Sequence, residues 1–254
     1  MFVTEVLDNG RVQAAIDPSR GARLTSLVID GHELLADKGS FPMVPWAGRI
    51  RDGLLTVDGE THQLPLAKDG NAIHGLGRNV AWERTGAGAY QCEIGTPWPT
   101  TGFASMNYEL LAGGIRTTLS WDDGTDLPCS MGLHPWFRRR LDAGSAVSLT
   151  FHPDSMVERG ADALPTGRLI HPTPGPWDDC FHFDGAPVLT WPNALSISLT
   201  ASAPWWVVYD IPDDTVCVEP QTAPADAFGH PKLEPDGPWP RSLWFELSAV
   251  DQAF

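Results

Sequence analysis

Basic residues are scarce in this chain. Its 254 residues hold 17 Lys and Arg against 32 Asp and Glu, a formal net charge of -15. Phosphate backbones and anionic lipid headgroups repel such a surface, which excludes nucleic acid and acidic membranes as natural partners. Long apolar runs are missing as well, and none approaches the length that spans a bilayer. The opening Met1-Phe2-Val3-Thr4-Glu5 carries neither the basic nor the apolar segment of a secretory signal. Cysteine is limited to Cys92, Cys129, Cys180 and Cys217, with no CxxC pair. Free buried thiols and a cytoplasmic location are the expectation. Sustained i, i+3, i+4 apolar spacing is absent, and 25 Gly with 23 Pro interrupt the chain too often for long helices. HExxH, GxSxG, the P-loop and GxGxxG do not occur in their expected settings, which removes the common signatures of zinc proteases, serine hydrolases and nucleotide binding.

What is present is period-2 alternation. Ile115, Thr117, Leu119 and Trp121 point one way, with Arg116, Thr118 and Ser120 the other. Val147, Leu149 and Phe151, then Leu195, Ile197, Leu199 and Ala201, then Leu243, Phe245 and Leu247 repeat the pattern. Such runs form strands with one face buried. Asp30-Gly31, Asp58-Gly59 and Gly113-Gly114 mark hairpin turns between runs. No repeat and no linker divides the chain. The pattern predicts an all-β protein, a large antiparallel β-sandwich, with residues 1–254 as one domain.

Tryptophan is abundant. Of 11, Trp46, Trp98, Trp136, Trp177, Trp205 and Trp239 each follow a proline. The residue before proline is pushed to extended geometry, so these rings are expected at loops or strand edges. There they either cap the core or offer flat faces to sugars.

Polar groups in similar settings suggest a site. His74 lies in Ile73-His74-Gly75, His134 in Leu133-His134-Pro135-Trp136-Phe137, and His182 in Phe181-His182-Phe183. Glu219 ends the run Val216-Cys217-Val218 and precedes Pro220, which donates no N–H and is expected to stop the ladder there. Glu219 is thereby expected at an exposed rim. Asp178 and Arg49 are further candidates, set against a turn carboxylate and a surface cation. His74, His134 and Glu219 also invite a two-His-one-carboxylate metal site, but they lack tight ligand spacing, and no metal is expected.

Arg49, His74-Gly75, His134-Pro135-Trp136-Phe137, Asp178 with Phe181, and Glu219-Pro220-Gln221-Thr222, in that order, resemble the aldose 1-epimerase (galactose mutarotase) family over nearly the whole chain. The chain departs from the family pattern at Gly48, where Asn is common, at Leu76, where a second glycine is common, at Trp136, where Tyr is common, and in its shorter length. The resemblance implies a large β-sandwich with a sugar cleft and no cofactor. It implies Glu219 as general base and His134 as general acid, with His74, Arg49, Asp178 and Trp136 binding the sugar. The expected partner is a small-molecule sugar, and the expected state a monomer or homodimer.

Interconverting anomers requires a base at the C1 hydroxyl and an acid at the ring oxygen. An ionised carboxylate is expected to favour the charged imidazole beside it. The pair is expected to face one cleft, a sugar ring's width apart. Two rivals remain. Arg138-Arg139-Arg140 would suit a hexose phosphate, and the tryptophans would suit a carbohydrate-binding module without catalysis.

Overall fold

Two antiparallel sheets face each other in the computed structural model, which describes residues 3–142 and 144–250. One sheet has 11 strands and the other 8. Their facing sides share one apolar core. Apart from strands, the described residues form only two single-turn 3-10 helices, Arg51–Gly53 and Gly77–Asn79. None of these is a helix long and apolar enough to cross a membrane.

The alternating runs explain this architecture. In the strand Gly114–Asp122, Ile115, Thr117, Leu119 and Trp121 are buried. In Ser242–Ala249, Leu243, Phe245 and Leu247 are buried while Trp244 is exposed. These two strands pair in the eight-stranded sheet, with Thr117 opposite Phe245. Across the sandwich, Trp206 of the larger sheet meets Phe245 edge to face, with ring centroids 6.2 Å apart. Asp30-Gly31 and Asp58-Gly59 make the expected tight turns, with both residues of each pair at positive φ. This is the type I′ geometry that matches strand twist. At the third hairpin the turn is Ala112-Gly113, and Gly114 already belongs to the next strand, opposite Leu111.

The larger sheet positions the site. Its centre runs Leu35–Met43, Gly132–Arg138, Thr215–Gln221, Trp205–Tyr209 and Asp178–His182, each hydrogen-bonded to the next. Leu133, Phe137, Val216, Val218, Trp206 and Val208 enter the shared core. Period-2 alternation sends His134, Trp136, Glu219 and Gln221 to the opposite face.

Pro220 does not end its strand. Thr215–Gln221 runs through it, with Pro220 opposite Trp206 on one neighbour. On the other side the ladder breaks instead. Gly132 pairs Gln221, and Trp136 pairs Cys217, but the three residue pairs between them form no bridge. Pro135 and Pro220 both lie in this gap, where neither can donate an N–H. The register is the same on each side of the gap, which sets His134 directly across from Glu219.

The tryptophans mostly cap the core. Trp46 and Trp98 stack on each other, centroids 5.8 Å apart, and both are buried. Trp177 packs on Phe151 and Phe181, Trp205 on His182, and Trp239 on Phe228. All four cysteines are free and buried.

The inter-sheet contact yields a stability test. Phe245→Ala should lower unfolding free energy by about 3–5 kcal/mol, through lost burial and the cavity left behind. Urea denaturation measures it, and a loss below about 1 kcal/mol would remove Phe245 from the centre of the sandwich.

Candidate active site

A cleft of about 290 Å³ opens on the outer face of the larger sheet. Arg49, His74, His134, Trp136, Asp178 and Glu219 all line it, so every residue singled out from sequence as catalytic or sugar-binding converges there. His182 is not among its lining residues.

His134 and Glu219 form its floor. Their side chains touch, with Nε2 and Oε1 3.2 Å apart. Residues directly opposite on neighbouring strands bring side chains within reach of each other. Two expectations fail here. Glu219 does not stand at an exposed rim: it is 2% accessible, because its strand is central and continues past Pro220. Nor are the two groups a sugar ring apart. The ring-width expectation overlooked that, in the expected reaction, the C1 hydroxyl oxygen and the ring oxygen are bonded to the same carbon. Two groups in contact can therefore still address both oxygens.

Two left-handed turns deliver the remaining residues. Gly48, at φ 62, lets the chain pass Ala225, whose Cβ would lie 2.7 Å from a Cβ at position 48. Asn, common in the family at this position, also tolerates left-handed backbone, so the departure preserves the turn. His74 itself has φ 59, and its N–H donates to the Gly48 carbonyl (2.7 Å). At Gly75 a Cβ would fall 2.1 Å from the Val44 carbonyl oxygen, so glycine is required. The short pairing of Arg49 with Ile73 joins the two turns. Leu76 donates its N–H to Val44 and packs on the core.

Thr222 explains the end of Glu219-Pro220-Gln221-Thr222. Its hydroxyl accepts from the Met131 N–H and its own N–H donates to the Met131 carbonyl, both at 2.8 Å. This clamp ties the Glu219 strand to the start of the His134 strand. Arg49 is oriented at the mouth by Asp69, donating from Nε at 2.8 Å. Asp178 faces Arg159 at 3.7 Å.

Burial sets the charge states. It pushes the His134 imidazole down to about 3, and the cations Lys38, Arg78 and Arg23 reinforce it. Burial likewise holds His74 well below the usual histidine range, helped by His134, Arg78 and Arg49. Glu219 is raised well above the carboxylate range, first by burial and then by Asp178, against Gln221 and Arg49. Asp178 is raised by burial, opposed by Arg159 and Arg49. The expectation that a carboxylate would favour the imidazolium is therefore overturned. Desolvation outweighs the neighbouring charge.

Trp136 stacks on the His134 ring, centroids 5.1 Å apart and 8° from parallel, and the Lys38 ammonium lies 3.5 Å from its centroid. It buttresses the His134 ring as much as it faces the cleft. Trp136 and Tyr209 also line a second cleft of about 620 Å³, which holds Arg138, Arg139 and Arg140. Sequence reasoning missed Tyr209, Arg159 and Gln221 in the first cleft. Gln221 was within reach, because it shares the face of Glu219 two residues away. Tyr209 and Arg159 enter only through strand order.

A family model described as aldose 1-epimerase matches residues 5–234. The chain belongs to the aldose 1-epimerase family. Its fold matches solved structures of similar proteins. A candidate aldose 1-epimerase from Escherichia coli K12 superposes with a TM-score of 0.82 at 18% identity, covering 98% of this chain and 99% of that one. A galactose mutarotase-like protein from Clostridium acetobutylicum gives 0.79 at 17%, with 98% of each chain covered. A galactose 1-epimerase from Lactobacillus acidophilus NCFM gives 0.76 at 15%, covering 98% and 99%. No curated protein sequence matches. At these identities the structures establish the fold, and the family rests on the matching model.

The charge states are open to measurement. With its imidazole held at about 3, His134 should stay neutral when the free protein is titrated by NMR from about pH 8 to 5. A His134 midpoint near the ordinary value of about 6.5 would contradict this description.

Proposed function

We propose that this family member interconverts the α and β anomers of a free aldose, with Glu219 as base and His134 as acid. One observation carries the reading. His134 and Glu219 sit 3.2 Å apart on the floor of a cleft, opposite each other in register. That spacing suits two groups addressing two oxygens on one carbon.

The pair holds one proton. Burial disfavours charge on each group, which favours a protonated carboxyl beside a neutral imidazole. Moving that proton across the contact gives the carboxylate and imidazolium. In this form Glu219 takes the proton from the C1 hydroxyl while His134 donates to the ring oxygen. The bond from C1 to the ring oxygen breaks, and C1 becomes an aldehyde. Opening leaves Glu219 protonated and His134 neutral, which is the arrangement burial favours. Rotation about C1–C2 and closure in reverse gives the other anomer. No net proton is gained or lost.

Sugar binding falls to Arg49, His74, Asp178 and Trp136. Among the described residues, His74 Nδ1, Trp136 Nε1 and Gln221 Oε1 are buried without a hydrogen-bond partner. A polyhydroxylated ligand would satisfy such groups, which are otherwise costly to bury. The volume lies at the low end of ligand pockets, about 300–1,000 Å³, and suits a monosaccharide.

The phosphosugar reading is less well supported. Arg138 Nε donates to the Leu35 carbonyl (2.8 Å), Arg139 to the carbonyls of Asp210 and Thr215, and Arg140 to that of Gly144. None of the three lines the reaction cleft. A binding module without catalysis would gain nothing from an acid–base pair buried at the cleft floor.

Glu219→Gln keeps shape and removes the base. Anomer exchange, followed by polarimetry or exchange NMR on glucose, galactose, arabinose and xylose, should fall by about 10²–10⁴. The melting temperature should hold, because the variant no longer buries an ionisable group. Wild-type exchange rates in the folded variant would sink the assignment.

A further inference from the structure

Beside the His134–Glu219 contact lies a third group that proton transfer does not use, a buried thiol. Cys217 lies two residues before Glu219 on the same strand and opposite Trp136, which places its side chain on the face of His134 and Glu219. One donor atom each from His134, Cys217 and Glu219 lies within 4.8 Å of the others, and all three residues are buried. His74, weighed from sequence as a third ligand, is not in this cluster.

We propose that these three residues bind a thiophilic divalent cation of the Zn²⁺ type, and that the bound metal switches the acid–base pair off. The donor set is imidazole, thiolate and carboxylate, all of which zinc takes. Bonds of about 2.0–2.2 Å at tetrahedral angles set nitrogen and oxygen donors about 3.3 Å apart. The His134 and Glu219 atoms already stand at 3.2 Å. Thiolate and carboxylate together balance the two positive charges. His134 and Glu219 line the cleft, so the ion has an entry path and a fourth position facing the cleft. Cys217 has no exposed surface, so its sulfur is reached only past the other two residues.

Binding displaces the thiol proton and the proton shared by the pair to solvent. The metal then occupies the imidazole nitrogen and the carboxylate oxygen that would exchange protons with the sugar, so metal binding and turnover exclude each other. Metal binding stands apart from the assignment of the reaction, and only the inhibition rests on it.

Co²⁺ and Zn²⁺ test the two parts separately. Titrating the intact protein with Co²⁺ should produce a thiolate-to-cobalt charge-transfer absorption. The band should vanish in Cys217→Ala and persist in Cys180→Ala, which removes a different thiol, one that lines the cleft. Cys217→Ser serves as the second variant where alanine impairs folding. Zinc should inhibit wild-type anomer exchange, and the half-inhibitory concentration should rise about 10–100-fold in the Cys217 variant, each protein scaled to its own metal-free rate. A cobalt spectrum without the band, a band surviving in Cys217→Ala, or equal zinc inhibition with and without the thiol would overturn the proposal. Should the chain prove inactive on every aldose, the cobalt spectrum still reads the site.

Discussion

The contact between His134 and Glu219 is the constraint around which the rest of the site is arranged. Two ionisable groups at the centre of an 11-stranded sheet are expensive to bury. They remain there because they are paired, and because a single proton leaves the pair neutral. The prolines beside them are part of the same device. Pro135 and Pro220 leave three residue pairs of the ladder unbridged where the side chains meet, while the strands stay in register on both sides. The result is a pair of ionisable side chains held in register by two central strands, the kind of support a site needs to hold its geometry.

Around this floor the sheet supplies the walls and the loops supply the mouth. Asp178 and Tyr209 arrive on the next strands in order, facing each other in register. Arg49 and His74 arrive on turns that only a left-handed backbone can make, and Gly48 and Gly75 make them possible. Of the residues proposed to bind sugar, Arg49 and His74 thus come from these joined turns, while Asp178, Trp136 and the proposed proton-transfer groups sit in the sheet.

Much of this was legible in the residues. Alternation of apolar and polar positions gives the strands and their buried faces, and Asp-Gly pairs give two of the turns. The ordered motifs bring together His74, His134, Asp178, Glu219, Arg49 and Trp136. Depth was not legible. A proline after a carboxylate reads as a strand end, yet a central strand tolerates Pro220 where the neighbouring ladder is already open. Burial of Glu219 depends on strands more than ten residues away in sequence, and so do the charge states. Tyr209 and Arg159 were invisible for the same reason: period-2 says which face a residue shares, not which strands lie side by side. Five of the six proline-led tryptophans serve packing, and only Trp136 reaches the cleft.

A crystal structure of the protein soaked with a free aldose tests the central claim most directly. The account predicts the anomeric carbon over the His134–Glu219 contact, with its hydroxyl oxygen and the ring oxygen each within about 3.2 Å of one of the two side chains. A sugar bound in the cleft with C1 turned away from the pair, or bound only in the second cleft beside Arg138, would contradict it.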